Sequence, residues 1–176
     1  MQMNKKTMKK IITALFCVTF LIGSTWQGIT SDTPTKTQLK LLYSNLETSK
    51  IEFLIDGFHL TPVKTPKGDM YLVKLDDGAS LLLEGAPDIH KYARSIIIPD
   101  QAKMEVKVLS SEFVEFKDVH IAPSKGNLSR LIDPKDVSYT FGNVYQNNEF
   151  FPGEIVGLEN PYVLRDLRGQ TVVFNP

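Results

Sequence analysis

Alternation of apolar and polar positions is the dominant pattern along this chain, and it predicts short β-strands. Side chains at every second position share one face of a strand, so such segments bury one face. The segments 39–43 and 51–55 alternate in this way, and 103–116 does so over the longest stretch. Further apolar runs predict strands at 58–63, 70–75, 79–83, 92–98 and 169–174. No window of a dozen residues has a convincing helical period. The pattern predicts an all-β domain of about ten short strands, an antiparallel β-sandwich or jelly-roll-like fold.

Turn residues separate these segments. Asp56-Gly57 and Thr65–Asp69 each predict a change of direction. The strongest hairpin signal is Asp76-Asp77-Gly78, which is expected to join 70–75 to 79–83. The last strand, 169–174, ends two residues before Pro176, which predicts an unpaired sheet edge and a C-terminally incomplete domain.

The first 24 residues have the pattern of a signal peptide. Four lysines precede the apolar run Ile11–Ile22, which is too short to span a bilayer, and small residues follow it. No acid lies in this stretch, so the remainder carries 16 basic and 20 acidic side chains, a net charge of −4. We expect a cleaved signal (1–24), a flexible leader (25–37) and a β domain (38–176). The chain would be exported to the periplasm, cell surface or medium, without stable membrane insertion.

The composition excludes several classes of function. Basic and acidic side chains balance at 20 each, whereas nucleic-acid binding would require a basic excess. Cys17 is the only cysteine and lies in the signal peptide, so the exported part has no disulfide, thiolate nucleophile or Cys metal site. His59, His90 and His120 are too widely spaced to predict a metal site. No phosphate loop or Gly-x-Ser-x-Gly elbow occurs. We expect no catalytic residue, no metal and no cofactor.

The segment Ile121–Pro134 predicts an ordered loop on the β scaffold. It holds two prolines, one glycine, two basic side chains and several apolar ones. An Arg between apolar residues on such a loop, here Arg130, could fill a pocket of another protein. Composition alone favours the other interpretation, an ordinary connection with a solvated Arg.

Arg165, Asp166 and Arg168 interrupt an apolar run near the C-terminus. Five donors suit a guanidinium to holding loop carbonyls. This cluster predicts a structural ion pair or a hydrogen-bonded corner.

Three motifs carry a resemblance to a known family. They are Phe-Phe-Pro-Gly-Glu (150–154), Pro-Tyr-Val-Leu-Arg-Asp-Leu-Arg-Gly-Gln-Thr-Val (161–172) and Ile-Ala-Pro-Ser-Lys-Gly (121–126). Together they resemble the N-terminal propeptide of the gingipains, secreted cysteine endopeptidases of Bacteroidetes that cleave after Arg or Lys. The resemblance covers about 38–176.

The resemblance implies a jelly-roll-like domain that helps the peptidase fold and keeps it latent. A basic loop residue would occupy the S1 pocket of the cognate gingipain-type catalytic domain, and Arg130 matches the inhibitory Arg of the family. The expected peptidase-binding residues are Arg130, Ser129, Leu128, Leu131 and Lys125. Lys125 or Lys135 would take the place of Arg130 if the enzyme prefers Lys.

The catalytic part of the family does not occur in this chain. This chain is therefore interpreted as a fragment, a truncated gene product or a stand-alone inhibitor. Two alternatives remain open: the N-terminal piece of a cysteine endopeptidase precursor, or a non-inhibitory cell-surface β module.

Overall fold

The computed structural model describes residues 23–176. The expected signal peptide therefore lies outside the described residues, except for Gly23 and Ser24. The described part contains ten strands and two 3₁₀ turns, Pro134–Asp136 and Asn143–Tyr145, and no α-helix. The strands are β1 (Thr25–Gly28), β2 (Gln38–Ser44), β3 (Ser49–Leu54), β4 (Gly57–Thr65), β5 (Gly68–Lys74), β6 (Ala79–Ser80), β7 (His90–Ile97), β8 (Val156–Leu158), β9 (Tyr162–Leu164) and β10 (Leu167–Phe174). The all-β prediction and most predicted strand positions are confirmed.

Three antiparallel sheets make up the domain. One has the order β1-β4-β5, one is the hairpin β2-β3, and the largest has the order β6-β7-β10-β8 with β9 also paired to β10. β10 lies at the centre of the largest sheet. It pairs with β7 along one edge, and with β9 and then β8 along the other. The predicted unpaired edge at 169–174 is therefore wrong, because strands distant in sequence flank this segment on both sides.

The β2-β3 hairpin covers one face of the largest sheet. Leu75, Tyr92, Val172 and Phe174 form the buried cluster there. The Phe53 ring of the hairpin stacks on Phe174 with centroids 4.4 Å apart, and its centroid lies 5.2 Å from that of Tyr92. Val172 and Phe174 are two positions apart in β10, so both point to this face. The hairpin and sheet pack as two layers, as in a sandwich.

Residues 25–37 are not the flexible leader that the sequence predicted. Residues 25–28 form β1, which is paired with β4. Asp56 fixes the residues that follow: its carboxylate accepts hydrogen bonds from Thr30 (2.5 Å), Thr35 (3.1 Å) and Gln38 (3.0 Å). These bonds, with that of Thr30 first, lower the pKa of Asp56. The polar composition that suggested flexibility instead supplies the hydrogen bonds of this connection.

The predicted hairpin at Asp76-Asp77-Gly78 is also wrong. The turn exists, with the Gly78 amide donating to the Leu75 carbonyl at 3.3 Å, but it carries the chain from one sheet to the next. Residues 79–80 then pair with β7 and not with β5. The true hairpin of β5 is formed with β4, through the other predicted turn at 65–68.

The longest alternating segment, 103–116, forms no strand. Met104 packs against the core cluster and Phe116 meets the Phe58 ring edge-on at 5.1 Å. Between them Val106 and Val108 remain 43% and 45% exposed, and they line an open groove against residues 153–158. Alternation supplies an apolar face, but a strand also needs a neighbouring backbone for its hydrogen bonds. The described residues supply none here.

Arg168 forms the corner that the sequence predicted. Its Nη1 donates to three carbonyl oxygens of one loop: Pro99 at 3.2 Å, Asp100 at 2.9 Å and Ala102 at 2.5 Å. Arg165 has another position, at the exposed tip of the β9-β10 hairpin with φ of 57°. Of the two arginines, Arg168 is the one that holds the loop at 99–102.

Replacing Arg168 by Met should lower the free energy of unfolding by about 1–3 kcal/mol. The substitution removes charge-assisted hydrogen bonds while keeping the aliphatic stem. Urea unfolding followed by fluorescence would measure the loss. The same substitution at exposed Arg130 is the control, and it should change stability by no more than about 0.5 kcal/mol. Equal effects of the two substitutions would contradict the structural role of Arg168.

Candidate functional site

The loop that contains Arg130 begins from a firmly held segment. Ala122 and Ser124 are 0% and 2% exposed, and Pro123 between them is fully buried. On one side, the Tyr71 amide donates to the His120 carbonyl and the Ala122 amide to the Tyr71 carbonyl, both at 2.8 Å. These bonds attach the upstream end of the loop to β5.

The other side of the same segment is attached to residues 85–88. The Asp88 amide donates to the Ala122 carbonyl at 2.8 Å, and the Ser124 amide to the Ala86 carbonyl at 2.7 Å. Backbone hydrogen bonds to these two segments hold 122–124 in place. The loop therefore starts from a rigid base.

Two glycines allow a third segment to close on this base. The Gly142 amide donates to the Gly85 carbonyl at 2.8 Å, and a Cβ on Gly142 would lie 2.9 Å from that oxygen. Gly85 has φ of 76°, a conformation that favours glycine. The Tyr145 hydroxyl donates to the Ile121 carbonyl at 3.0 Å. Residues 85–88, 121–124 and 142–145 thus form one platform beneath the loop.

Arg130 lies at the tip of the loop. The Ile132 amide donates to the Ser129 carbonyl at 3.0 Å, which closes a four-residue turn with Arg130 and Leu131 at its centre. Both central residues are exposed, and Leu131 is 95% exposed. Within residues 23–176 the Arg130 guanidinium has no hydrogen bond or ion pair, whereas Leu128 is half-buried. The turn presents one cation beside one apolar side chain.

Lys125 lies at the base of the loop and points inward. Its Nζ donates to the Pro134 carbonyl at 2.6 Å and lies 4.2 Å from the centroid of the Tyr139 ring. This places Lys125 apart from the other expected binding residues. The sequence did not predict the contacts with Pro134 and Tyr139, because nothing in the local pattern links Lys125 to residues nine and fourteen positions away.

The platform encloses a half-buried carboxyl group. Burial raises the pKa of Asp88, while the nearby His90 and Lys74 act in the opposite direction. Burial also raises the pKa of Tyr139 and Tyr145, and the Asp88 charge adds to both shifts. The Tyr139 and Tyr145 hydroxyls therefore stay protonated.

His90 makes stability depend on pH. Burial, as the main cause, lowers its pKa below the ordinary 6.5. The unfolded chain then binds more protons than the folded chain as pH falls through 6.5, so the free energy of unfolding decreases. The raised pKa of Asp88 acts in the opposite sense, at pH values above its ordinary 3.8 and below its folded pKa.

We expect a lower urea midpoint at pH 5.5 than at pH 7.5, measured against the His90→Gln variant. The variant should lose less stability between these two pH values, because it lacks the imidazole whose pKa is lowered by burial. An identical pH dependence in the two proteins would contradict a role for His90.

The described residues hold no group of three or more His, Cys, Asp or Glu side chains placed to bind a metal ion. The three histidines lie apart: His59 pairs with Asp76 at 2.9 Å, His90 contacts the Leu75 backbone, and His120 is exposed. Across residues 23–176, no helix has the length and apolar character needed to cross a membrane.

The family model and the similar known sequences indicate the same family. The family model described as Propeptide_C25 matches residues 31–176. Gingipain R1 of Porphyromonas gingivalis is 38% identical over 172 residues, which is 97% of this chain and 17% of that protein. Gingipain R2 of the same species is 36% identical over 172 residues, 98% of this chain and 23% of that protein. The chain thus spans less than a quarter of the length of these curated relatives.

Solved structures give the same fold. A complex of the pro- and mature domains of RgpB from Porphyromonas gingivalis matches with a TM-score of 0.74 and 40% identity, covering 78% of this chain and 72% of that one. A structure described as giving insight into the zymogenic latency of gingipain K, from the same species, matches with a TM-score of 0.67 and 21% identity, covering 86% of both chains. At that identity the second match concerns the fold alone.

Proposed function

This chain belongs to the Propeptide_C25 family, the propeptides of gingipain-type cysteine peptidases, and we propose that it keeps such a peptidase latent by placing Arg130 in the S1 pocket. The partner is the cognate catalytic domain. The relative RgpB was solved as a complex of its pro- and mature domains, and the proposal extends that partnership to this chain. Assistance in folding of the peptidase and export from the cell remain predictions from the family and from the N-terminal sequence.

The exposed turn at 129–132 is the observation that carries the proposal. A side chain that fills a pocket must project from its own surface with its donors unused, and the Arg130 guanidinium does so among the described residues. Leu131 next to it is 95% exposed, so the turn also offers an apolar contact.

The chemistry of Arg recognition fits this turn. A peptidase selective for Arg needs a carboxylate deep in a narrow pocket, and the planar guanidinium binds a carboxylate through two parallel charge-assisted hydrogen bonds. A loop already held in shape loses less entropy on binding than a flexible peptide does. Latency requires in addition that the peptidase does not cleave the Arg130–Leu131 bond while the loop is bound.

The rigid base explains how a loop can bind like a substrate and resist cleavage. Residues 122–124 are hydrogen-bonded to β5 and to residues 85–88, and the turn has its own backbone bond. Such a loop cannot easily relax into the extended form that a peptidase cleaves, so its backbone stays out of line with the attacking thiolate.

Inhibition of an Arg-cleaving gingipain-type peptidase by the purified chain tests the proposal. We expect tight, reversible inhibition that competes with a small Arg substrate and leaves the Arg130–Leu131 bond largely intact. A folded chain that does not inhibit would contradict latency for that peptidase, and inhibition without competition would place the contact outside S1.

A further inference from the structure

We infer that Lys125 is a positioning residue that closes the base of the Arg130 loop and holds Arg130 in the geometry that the peptidase meets. The inference rests on the proposed function. It also changes the role expected of Lys125, from a candidate ligand of the S1 pocket to an internal contact.

The two ends of the loop are fixed unequally. The upstream end continues directly from 122–124, which are buried and hydrogen-bonded to β5 and to residues 85–88. Within residues 23–176, the amides of the downstream end bond only locally: the Lys135 amide donates to Asp133 Oδ1 at 2.9 Å, and the Asp136 amide to the Asp133 carbonyl at 3.0 Å. These bonds shape the 3₁₀ turn at 134–136 but do not attach it to the platform.

Lys125 provides that attachment. Its ammonium lies 2.6 Å from the Pro134 carbonyl, at the start of the 3₁₀ turn, and so joins two residues that are nine positions apart. The same ammonium lies 4.2 Å from the centroid of the Tyr139 ring, in the geometry of a cation–π contact. A short hydrogen bond from a charged donor is stronger than one between neutral groups.

Gly126 directs the chain away from this contact. Its φ is 77°, and a Cβ at this position would lie 3.0 Å from Glu84 Cβ. The residue after Lys125 thus turns sharply against residue 84, while its amide donates to Ser124 Oγ at 3.2 Å. The side chain of Lys125 is left on the inner side of the loop, facing Pro134 and Tyr139.

The consequence for function is that Lys125 fixes how Arg130 is presented. Without the ammonium, the downstream end is free to move away from the platform, and the turn at 129–132 moves with it. A mobile Arg130 loop would bind a peptidase more weakly and would be cleaved more readily, because proteolysis follows the population of opened conformers. Lys125 thereby contributes to the difference between an inhibitor and a substrate.

The test uses trypsin as an independent probe of the loop. Lys125→Met removes the charge and keeps the aliphatic contact with Tyr139, Lys125→Arg keeps the charge, and Lys117→Met is the control at an exposed lysine without a side-chain partner in the described residues. Cleavage of the Arg130–Leu131 bond is followed by mass spectrometry. We expect Lys125→Met to be cut about tenfold faster than the wild type. This factor is at the low end of the effect expected for the loss of one charge-assisted hydrogen bond. Lys125→Arg and Lys117→Met should be cut at the wild-type rate.

Hydrogen exchange and inhibition complete the test. Exchange should accelerate at 126–133 in Lys125→Met and stay unchanged in β10, which shows that the variant is folded. The same variant should inhibit an Arg-cleaving gingipain-type peptidase about tenfold more weakly. The inference would be overturned if Lys125→Met were cleaved and exchanged hydrogen at the same rates as the wild type. It would also be overturned if Lys125→Arg were cleaved as fast as Lys125→Met. Accelerated cleavage together with no inhibition by any variant, the wild type included, would support the loop contact and overturn the proposed function.

Discussion

Replacing Arg130 by Ala should weaken inhibition of an Arg-cleaving gingipain-type peptidase by about 30- to 4,000-fold. Removal of one partner of a buried charge pair costs about 2–5 kcal/mol, and about 1.4 kcal/mol corresponds to a factor of ten. Much of this cost comes from the S1 carboxylate, which would remain buried without its cation. The inhibition constant of the purified chain, wild type beside variant, is the measurement.

Arg165 offers a matched control for this experiment. It is also exposed, also lies at a turn, and has no side-chain partner in residues 23–176. Its φ of 57° favours Asn as the replacement, since Asn tolerates this conformation. Arg165→Asn should inhibit like the wild type. If both variants inhibit as well as the wild type, Arg130 does not occupy S1, and exposed Lys135 becomes the next residue to test.

The free energy of unfolding should fall by about 3–5 kcal/mol on replacement of Tyr92 by Ala. Tyr92 is 2% exposed and lies beside the stacked Phe53 and Phe174 rings, with centroid distances of 5.2 and 6.4 Å. The Arg94 guanidinium covers its ring at 4.3 Å. Truncation would leave a cavity where the hairpin layer meets the largest sheet, and the aromatic contacts would be lost with it.

Tyr92→Phe separates packing from polarity. It keeps the ring and its contacts, so we expect a loss below about 1.5 kcal/mol, as for volume-conserving changes. Both values come from urea unfolding at a single pH. A loss below 1 kcal/mol for Tyr92→Ala would contradict a core built around this ring, whereas comparable losses for the two variants would assign the effect to the hydroxyl group.

Local pattern was sufficient for the strands that pack on one face. β2 and β3 lie close to their predicted positions, because a period of two is a property of the strand itself and is visible in any sequence. The predicted corner at Arg168 is confirmed for a similar reason: a guanidinium within an apolar run needs acceptors, and neighbouring loop carbonyls supply them. The family was also visible in the sequence, because its motifs are contiguous.

The pairing of the strands could not be deduced from the local sequence pattern in the same way. The alternating segment 103–116 has the strongest pattern and no strand, while Asp76-Asp77-Gly78 has the strongest hairpin sequence and no hairpin. A strand forms only where another backbone lies alongside, and the choice of that neighbour depends on hydrogen bonds and burial across the whole domain. The same reason places β10 at the centre of its sheet.

The sequence by itself determined that this protein is an all-β propeptide-family domain with Arg130 on a loop, since composition, period and contiguous motifs are local properties. Only the tertiary structure decided how that loop is held. The platform that buries Ala122 and the contact of Lys125 with the Pro134 carbonyl both join residues that the sequence separates. Such contacts are fixed by packing between distant segments, and no local pattern encodes them.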